Sequence, residues 1–196
     1  MEAAERLFSE KGYEQTTIED ISKASEYSRR TIYAYYDSKG DILHHIIEKS
    51  LQSLKADIES SVNNNAGFVE ACRAVCSAMS RYRTECPHSL ESLKRSGAAK
   101  IEQSAISNTV KSILRLGTEI NDILEALIAR GQKSGEVRKD VVPVLTVYVL
   151  STSLDSLLAL VETNGKFICA QNGMTEDEFL DYGFRQIVNS ILEVRI

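Results

Sequence analysis

Residues 7–43 read LFSEKGYEQTTIEDISKASEYSRRTIYAYYDSKGDIL, and they hold several helix starts and stops in quick succession. Just before and into this stretch, Ala3, Ala4, Leu7 and Phe8 share one helical face over residues 2–10. Lys11-Gly12 then supplies a C-terminal stop. Thr16-Thr17 opens a second helix. Thr17 can cap it, with Asp20 three residues on as a short-acid version of the capping box. Ile18, Ile21 and Ala24 form its buried stripe. Ser25-Glu26-Tyr27 makes a short turn, and Ser28 caps a third helix over about 28–35. Asp37-Ser38 ends that helix and starts a fourth, which runs to about Ser61 with Leu43, Ile47, Leu51, Leu54 and Ile58 at helical spacing. Three short helices with a tight turn before the third have the geometry of a helix-turn-helix. Plain three-helix structural caps share that geometry.

Further along, helical periodicity returns at Phe68, Val69, Cys72, Val75, Cys76 and Met79, and Pro87 ends that element. A short piece around Ser89–Ser96 stops at Gly97. A long helix follows from about Ala99 to Gln132, closed by Lys133-Ser134-Gly135. Two more are expected at about 143–163 and 175–194, the last opened by the capping-box pair Thr175 and Glu178. No alternating run of strand length and no internal repeat is visible. The expected fold is all-α: an N-terminal helix-turn-helix domain over 1–45 and a larger helical bundle domain over 46–196.

The chain is 43% hydrophobic and 26% charged, a balance suited to a folded protein. Its net charge is −5, and residues 1–50 carry ten Asp/Glu against seven Lys/Arg. Any DNA binding must therefore use a local patch; over 27–39, Arg29, Arg30 and Lys39 outweigh Asp37. Cys72, Cys76, Cys86 and Cys169 have no disulfide-framework spacing, and the opening MEAAERLFSEKGY lacks the apolar run of a signal peptide, so a cytoplasmic setting is expected. Val141–Val161 is long enough to span a membrane, yet Pro143, Asp155 and several Ser/Thr favour a buried helix and no membrane partner. No phosphate-binding glycine loop or nucleophile elbow occurs. Cys72, Cys76, Cys86 and His88 lack CxxC or HxxxH spacing, and His44, His45 and His88 have no evident catalytic partners. No enzyme, metal or cofactor is expected.

Leu7-Phe8, Lys11-Gly12-Tyr13, Thr16-Thr17, Ile21, Ser28, Thr31-Ile32-Tyr33, Tyr35-Tyr36 and Ser38-Lys39 closely resemble the DNA-binding signature of the TetR family of transcriptional regulators. The segment ALIARGQKSGEVRKDVVP, residues 126–143, is similar to the family's stretch between its long central helix and its dimer helices. Two positions depart from the pattern: Glu26 stands where the family usually has glycine, and Gly40 where it usually has an acid. The resemblance implies base contact by Arg29 and Arg30, and phosphate contact by Thr17, Thr31, Tyr33, Tyr35 and Lys39. Ser28, Arg29 and Arg30 lie at the helix end that meets base edges in such motifs, and Arg can donate bidentately to guanine. A solvated face is the alternative for the two arginines; cover for the small core is the alternative for Tyr33 and Tyr35.

For the body, the resemblance implies a homodimer through helices 143–163 and 175–194. Val147, Leu150, Leu154, Leu157 and Val161 form one apolar face of the first; Leu145, Tyr148, Val149, Thr152 and Ala159 form another. Ser153, Ser156, Ala159 and Gly183 would allow close approach. Such a dimer sets two recognition helices about 34 Å apart and selects near-palindromic double-stranded DNA. The resemblance also implies a pocket in the body, with Cys72, Cys76, Met79, Tyr82 and Tyr148 as candidate lining for an apolar or aromatic effector; ordinary core is the alternative for each. The expected function is a repressor released by a small molecule. A dimer of the same fold that has lost sequence-specific DNA binding is the alternative, suggested by the acidic head and Glu26.

Overall fold

The computed structural model describes residues 1–65, 67–85 and 107–193. Pro87, the piece at 89–96, the start of the long helix at 99, Cys86 and His88 lie outside the described residues. Eight helices are present among the described ones: α1 (Glu2–Lys11), α2 (Ile18–Ser25), α3 (Arg29–Tyr35), α4 (Lys39–Asn64), α5 (Phe68–Glu85), α6 (Asn108–Ser134), α7 (Pro143–Asn172) and α8 (Glu176–Asn189). The one extended pairing there is an isolated antiparallel bridge between Val137 and Leu192. The fold is all-α. It divides into two compact units, Met1–Lys55 with Arg81–Thr118, and Ala56–Ser80 with Glu119–Ile196. Helices α4, α5 and α6 each begin in one unit and end in the other.

In the first unit, Ala4, Phe8, Ile21, Ile32, Ile42 and Ile46 form a small core. Full burial of an isoleucine or phenylalanine stabilises by about 1.5–3 kcal/mol. The edge of the Tyr13 ring meets Phe8 at 5.2 Å. Gly12, at φ 84°, ends α1 and its N–H donates to Phe8 O at 3.1 Å. The two threonines at 16 and 17 divide the work of the next turn. Thr16 is fully buried and its hydroxyl donates to Gly12 O at 2.8 Å, which closes the turn. Thr17 caps α2. Along α4, Leu43, Ile47, Leu51, Leu54 and Ile58 are all buried, as their spacing predicts.

In the second unit, the loop after α6 ties several chain ends together. The N–H groups of Glu136 and Val137 donate to Gly131 O at 2.9 and 3.1 Å. The Glu136 carboxylate accepts from Phe68 N at 3.0 Å, capping the start of α5. The Arg130 guanidinium donates to Val62 O and Asn65 O, each at 3.2 Å, at the end of α4.

Two glycines give results that sequence periodicity did not. The helix expected at about 143–163 continues as α7 to Asn172. Gly165 is buried there, and a Cβ on it would stand 3.3 Å from Glu176 Oε1, so its missing side chain admits the start of α8. Gly183 was expected at a dimer contact. Instead it packs within the chain: a Cβ there would lie 2.7 Å from both methyl carbons of Leu157. Its role is close α7–α8 packing.

Candidate nucleic-acid interface and effector cavity

The cap of α2 sets the stage for α3. Thr17 Oγ1 accepts from Asp20 N at 3.1 Å, and Asp20 Oδ2 accepts from Thr17 N at 3.0 Å and from the Thr17 hydroxyl at 2.8 Å. Thr17's proton is therefore spent on the cap in the free chain, and a side-chain donation to phosphate would have to break it. The Thr17 hydrogen bonds, with Lys11 at 3.2 Å, hold the Asp20 carboxyl down to about 2 from an ordinary 3.8. A lowered folded-state value means that the cap's contribution is present above pH 4. It fades as pH falls towards 2.

Glu26 ends α2 at φ 60°, the left-handed region, and it is the one non-glycine residue with positive φ among the described residues. The turn keeps its shape without the family's glycine, at the expense of strain on a side-chain-bearing residue. Ser22 Oγ donates to Tyr27 O at 2.6 Å and braces the same turn. Glu26→Gly should therefore stabilise the head. Relief of about 1–2 kcal/mol of left-handed strain exceeds the added flexibility of glycine in the unfolded chain, about 0.5–1 kcal/mol. A higher melting temperature in a thermal scan checks this; a lower one means that the Glu26 side chain makes a compensating contact.

Ser28 caps α3, accepting from Thr31 N at 3.0 Å and sharing a 2.8 Å hydroxyl pair with Thr31. Of this short helix only Ile32 is buried. At 100° per residue, Arg30 and Ala34 face away from Ile32, Tyr33 and Thr31 flank them, and Arg29 and Tyr35 sit nearer the core edge. Tyr33 and Tyr35 are 54% and 77% exposed, so neither covers the core. Arg29 and Arg30 are exposed, with no hydrogen bond or ion pair to any described residue. The helix thus presents two exposed guanidiniums and two phenols on a domain whose net charge is acidic.

Lys39 departs from expectation. Its ammonium donates to Tyr13 O at 2.8 Å and Thr16 O at 2.9 Å, with Glu14 O at 3.4 Å, and lies 4.3 Å from the centre of the Tyr13 ring. In the free chain that charge is turned inward, not offered to a phosphate.

In the second unit a cavity of about 70 Å³ lies among α5, α6, α7 and α8. Cys72, Cys76 and Met79 line one side; Ile128, Leu154 and Phe184 contribute to the others. The lining is almost wholly apolar. Tyr148 and Tyr82 do not take part: Tyr148 is 58% exposed on α7, and Tyr82 is buried away from the cavity lining. The expectation missed α8, whose Phe184 and Val188 lie at i,i+4 on its buried face and could have been read as lining. Burial pushes the Cys72 thiol up to about 12 and Cys76 to about 11, so both are neutral, unreactive thiols at neutral pH. No group of three His, Cys, Asp or Glu residues suited to a metal occurs among the described residues. A larger groove of about 940 Å³ in the first unit opens to solvent beside Glu2, Arg6 and Lys49, and does not suit an apolar ligand.

Helix α7 is long and apolar enough to cross a membrane, but one such helix is weak support for a span. Only 17% of its most apolar stretch is buried. Val147, Leu154, Leu158, Gly165 and Cys169 face inward, while Leu145, Tyr148, Val149 and Phe167 are exposed on the other side.

Residues 1–46 match the profile of the bacterial regulatory proteins of the tetR family. The transcriptional repressor DhaR of a Mycobacterium species is 22% identical over 195 residues, 97% of this chain and 91% of DhaR. The structure of PfmR, a TetR family regulator of Thermus thermophilus, superposes with a TM-score of 0.71 at 25% identity, covering 96% of each chain. The Bacillus subtilis regulator FadR, solved with stearoyl-CoA, shares the fold with a TM-score of 0.70 at 19% identity, over 97% of this chain and 96% of FadR.

Proposed function

We propose that this chain, whose residues 1–46 match the tetR-family DNA-binding profile, is a TetR-type helix-turn-helix transcriptional regulator, a dimeric repressor whose hold on DNA is loosened by an apolar effector. The observation that carries DNA reading is the exposed pair Arg29 and Arg30, without a partner among the described residues, on a helix that buries only Ile32. In this reading Arg30 reads a base edge, and Arg29 reads beside it. Thr31, Tyr33 and Tyr35 donate to phosphates, and Ser28 fixes the helix start. The matched family consists of regulatory proteins rather than enzymes. A regulator of this kind would act on DNA in the cytoplasm.

A second copy is the proposed cover for α7. Its outer face carries Leu145, Tyr148, Val149 and Phe167 in a stripe too large to leave in water. The opposite face already packs against protein, which leaves a partner on one side rather than lipid all round. A two-fold pair would present two α3 helices to a near-palindromic operator.

The effector is proposed to enter the cavity beside Cys72, Cys76 and Met79. At about 70 Å³ it is far smaller than ordinary ligand sites of about 300–1,000 Å³. A ligand of useful size must therefore push α5 and α6 apart. The Arg130 contacts to Val62 and Asn65 would carry that displacement to the end of α4, which runs on to Lys39. A tenfold loss of DNA affinity needs about 1.4 kcal/mol of differential binding. The test is a thermal-shift screen of fatty acyl and aromatic compounds on wild type and on Cys76→Phe, which fills the site. A hit that also releases DNA, and is lost in Cys76→Phe, supports the cavity; a hit that survives the filled site places the effector elsewhere.

A further inference from the structure

The ammonium that opens α4 is fully engaged inside its own domain. Lys39 has three N–H donors, and three carbonyl oxygens, those of Tyr13, Glu14 and Thr16, converge on it below the Tyr13 ring. These carbonyls belong to the connection that follows α1, where Thr16 is itself buried and donates back to Gly12 O. The partial negative charge of a helix end and its following turn gathers there. Carrying this ammonium to a phosphate would strip several of those acceptors of their donor and expose the Tyr13 face. The exchange gains one charge contact and gives up several charge-assisted hydrogen bonds.

We propose that Lys39 is a positioning residue: it fastens the start of α4 to the α1–α2 turn, thereby setting where α2 and α3 stand on α4, and it makes no phosphate contact. The other end of α4 is held in the same manner, by the Arg130 guanidinium on Val62 O and Asn65 O. Both joints use a cation on backbone carbonyls. The proposal rests on the DNA-binding reading for its consequences, but the joint itself can be examined without DNA.

Two variants separate a joint from a phosphate contact. The compact ammonium meets converging carbonyls; the flat, forked guanidinium of Lys39→Arg does not, although it is an excellent phosphate ligand. The proposal expects Lys39→Arg and Lys39→Met to weaken binding to DNA flanking the protein's own gene by about tenfold to a hundredfold, the scale of lost charge-assisted bonds. Both should keep the wild-type salt slope. A phosphate contact predicts retained affinity in Lys39→Arg and, in Lys39→Met, a slope reduced by about 0.9 for each phosphate lost; either result overturns the proposal. Amide exchange by NMR decides the joint independently: Thr16 and Thr17 should exchange faster in both variants, and wild-type protection in them overturns it. If wild type binds no DNA at all, the regulator reading fails, and the exchange measurement still decides Lys39.

Discussion

Arg30→Ala should weaken operator binding by about 1–3 kcal/mol per half-site, roughly five- to 150-fold, and relax the preference at one base pair in each half. The direction follows from helix geometry. Arg30 lies opposite the buried Ile32, on the outward face with Ala34, and no described residue pairs with it. No described residue competes for the guanidinium, and its removal leaves the core of the head intact. Arg29→Ala should show a smaller loss, because Arg29 sits nearer the core edge. Anisotropy titrations with a set of single-base operator variants measure both affinity and preference. Unchanged affinity in the Arg29→Ala/Arg30→Ala double variant would remove α3 from the interface.

The second large effect concerns assembly. Val149→Arg places a charge in the middle of the exposed stripe of α7, at a position with 62% exposure in the single chain. A monomer should accommodate that arginine without loss of fold, since the side chain already faces outward. A dimer built on this face would have to bury an unpaired charge, which costs about 3–5 kcal/mol when no partner compensates. The expected result is a folded monomer by sedimentation, with operator binding reduced towards the non-specific level, about 10³-fold or more weaker. Tyr148→Arg should behave alike. A variant that remains dimeric with full operator affinity places the interface elsewhere.

The helix starts were legible from the sequence because their signals are local. Thr17 with Asp20, Ser28, and Thr175 with Glu178 each act within one helical turn, and each cap is present. The buried stripe of α4 was legible for the same reason, since 3.6-residue periodicity is written in consecutive residues. Glu26 was readable as a departure, and its φ of 60° shows that the turn geometry survives without glycine. What could not be read were long-range partners. Lys39 carries no mark in the sequence that it will point inward at Tyr13 and Thr16. Gly183 is a small residue on an apolar helix whether it faces Leu157 or a second copy; only tertiary packing decides. Tyr148 fell on the outer face of α7 because a helix apolar on two sides does not say which side the chain itself covers. The two units were not legible because α4, α5 and α6 run from one into the other without a break in periodicity.

The central claim is that the free guanidiniums of α3 read a specific duplex as part of a dimer. Its most direct test is an anisotropy titration of wild-type protein against DNA flanking its own gene and against a scrambled duplex of equal length, over a series of salt concentrations. The account predicts two chains per site, preference for the flanking DNA by about 10³-fold or more, and a linear fall of log affinity with log salt. Equal, weak binding to both duplexes at every salt concentration would contradict it.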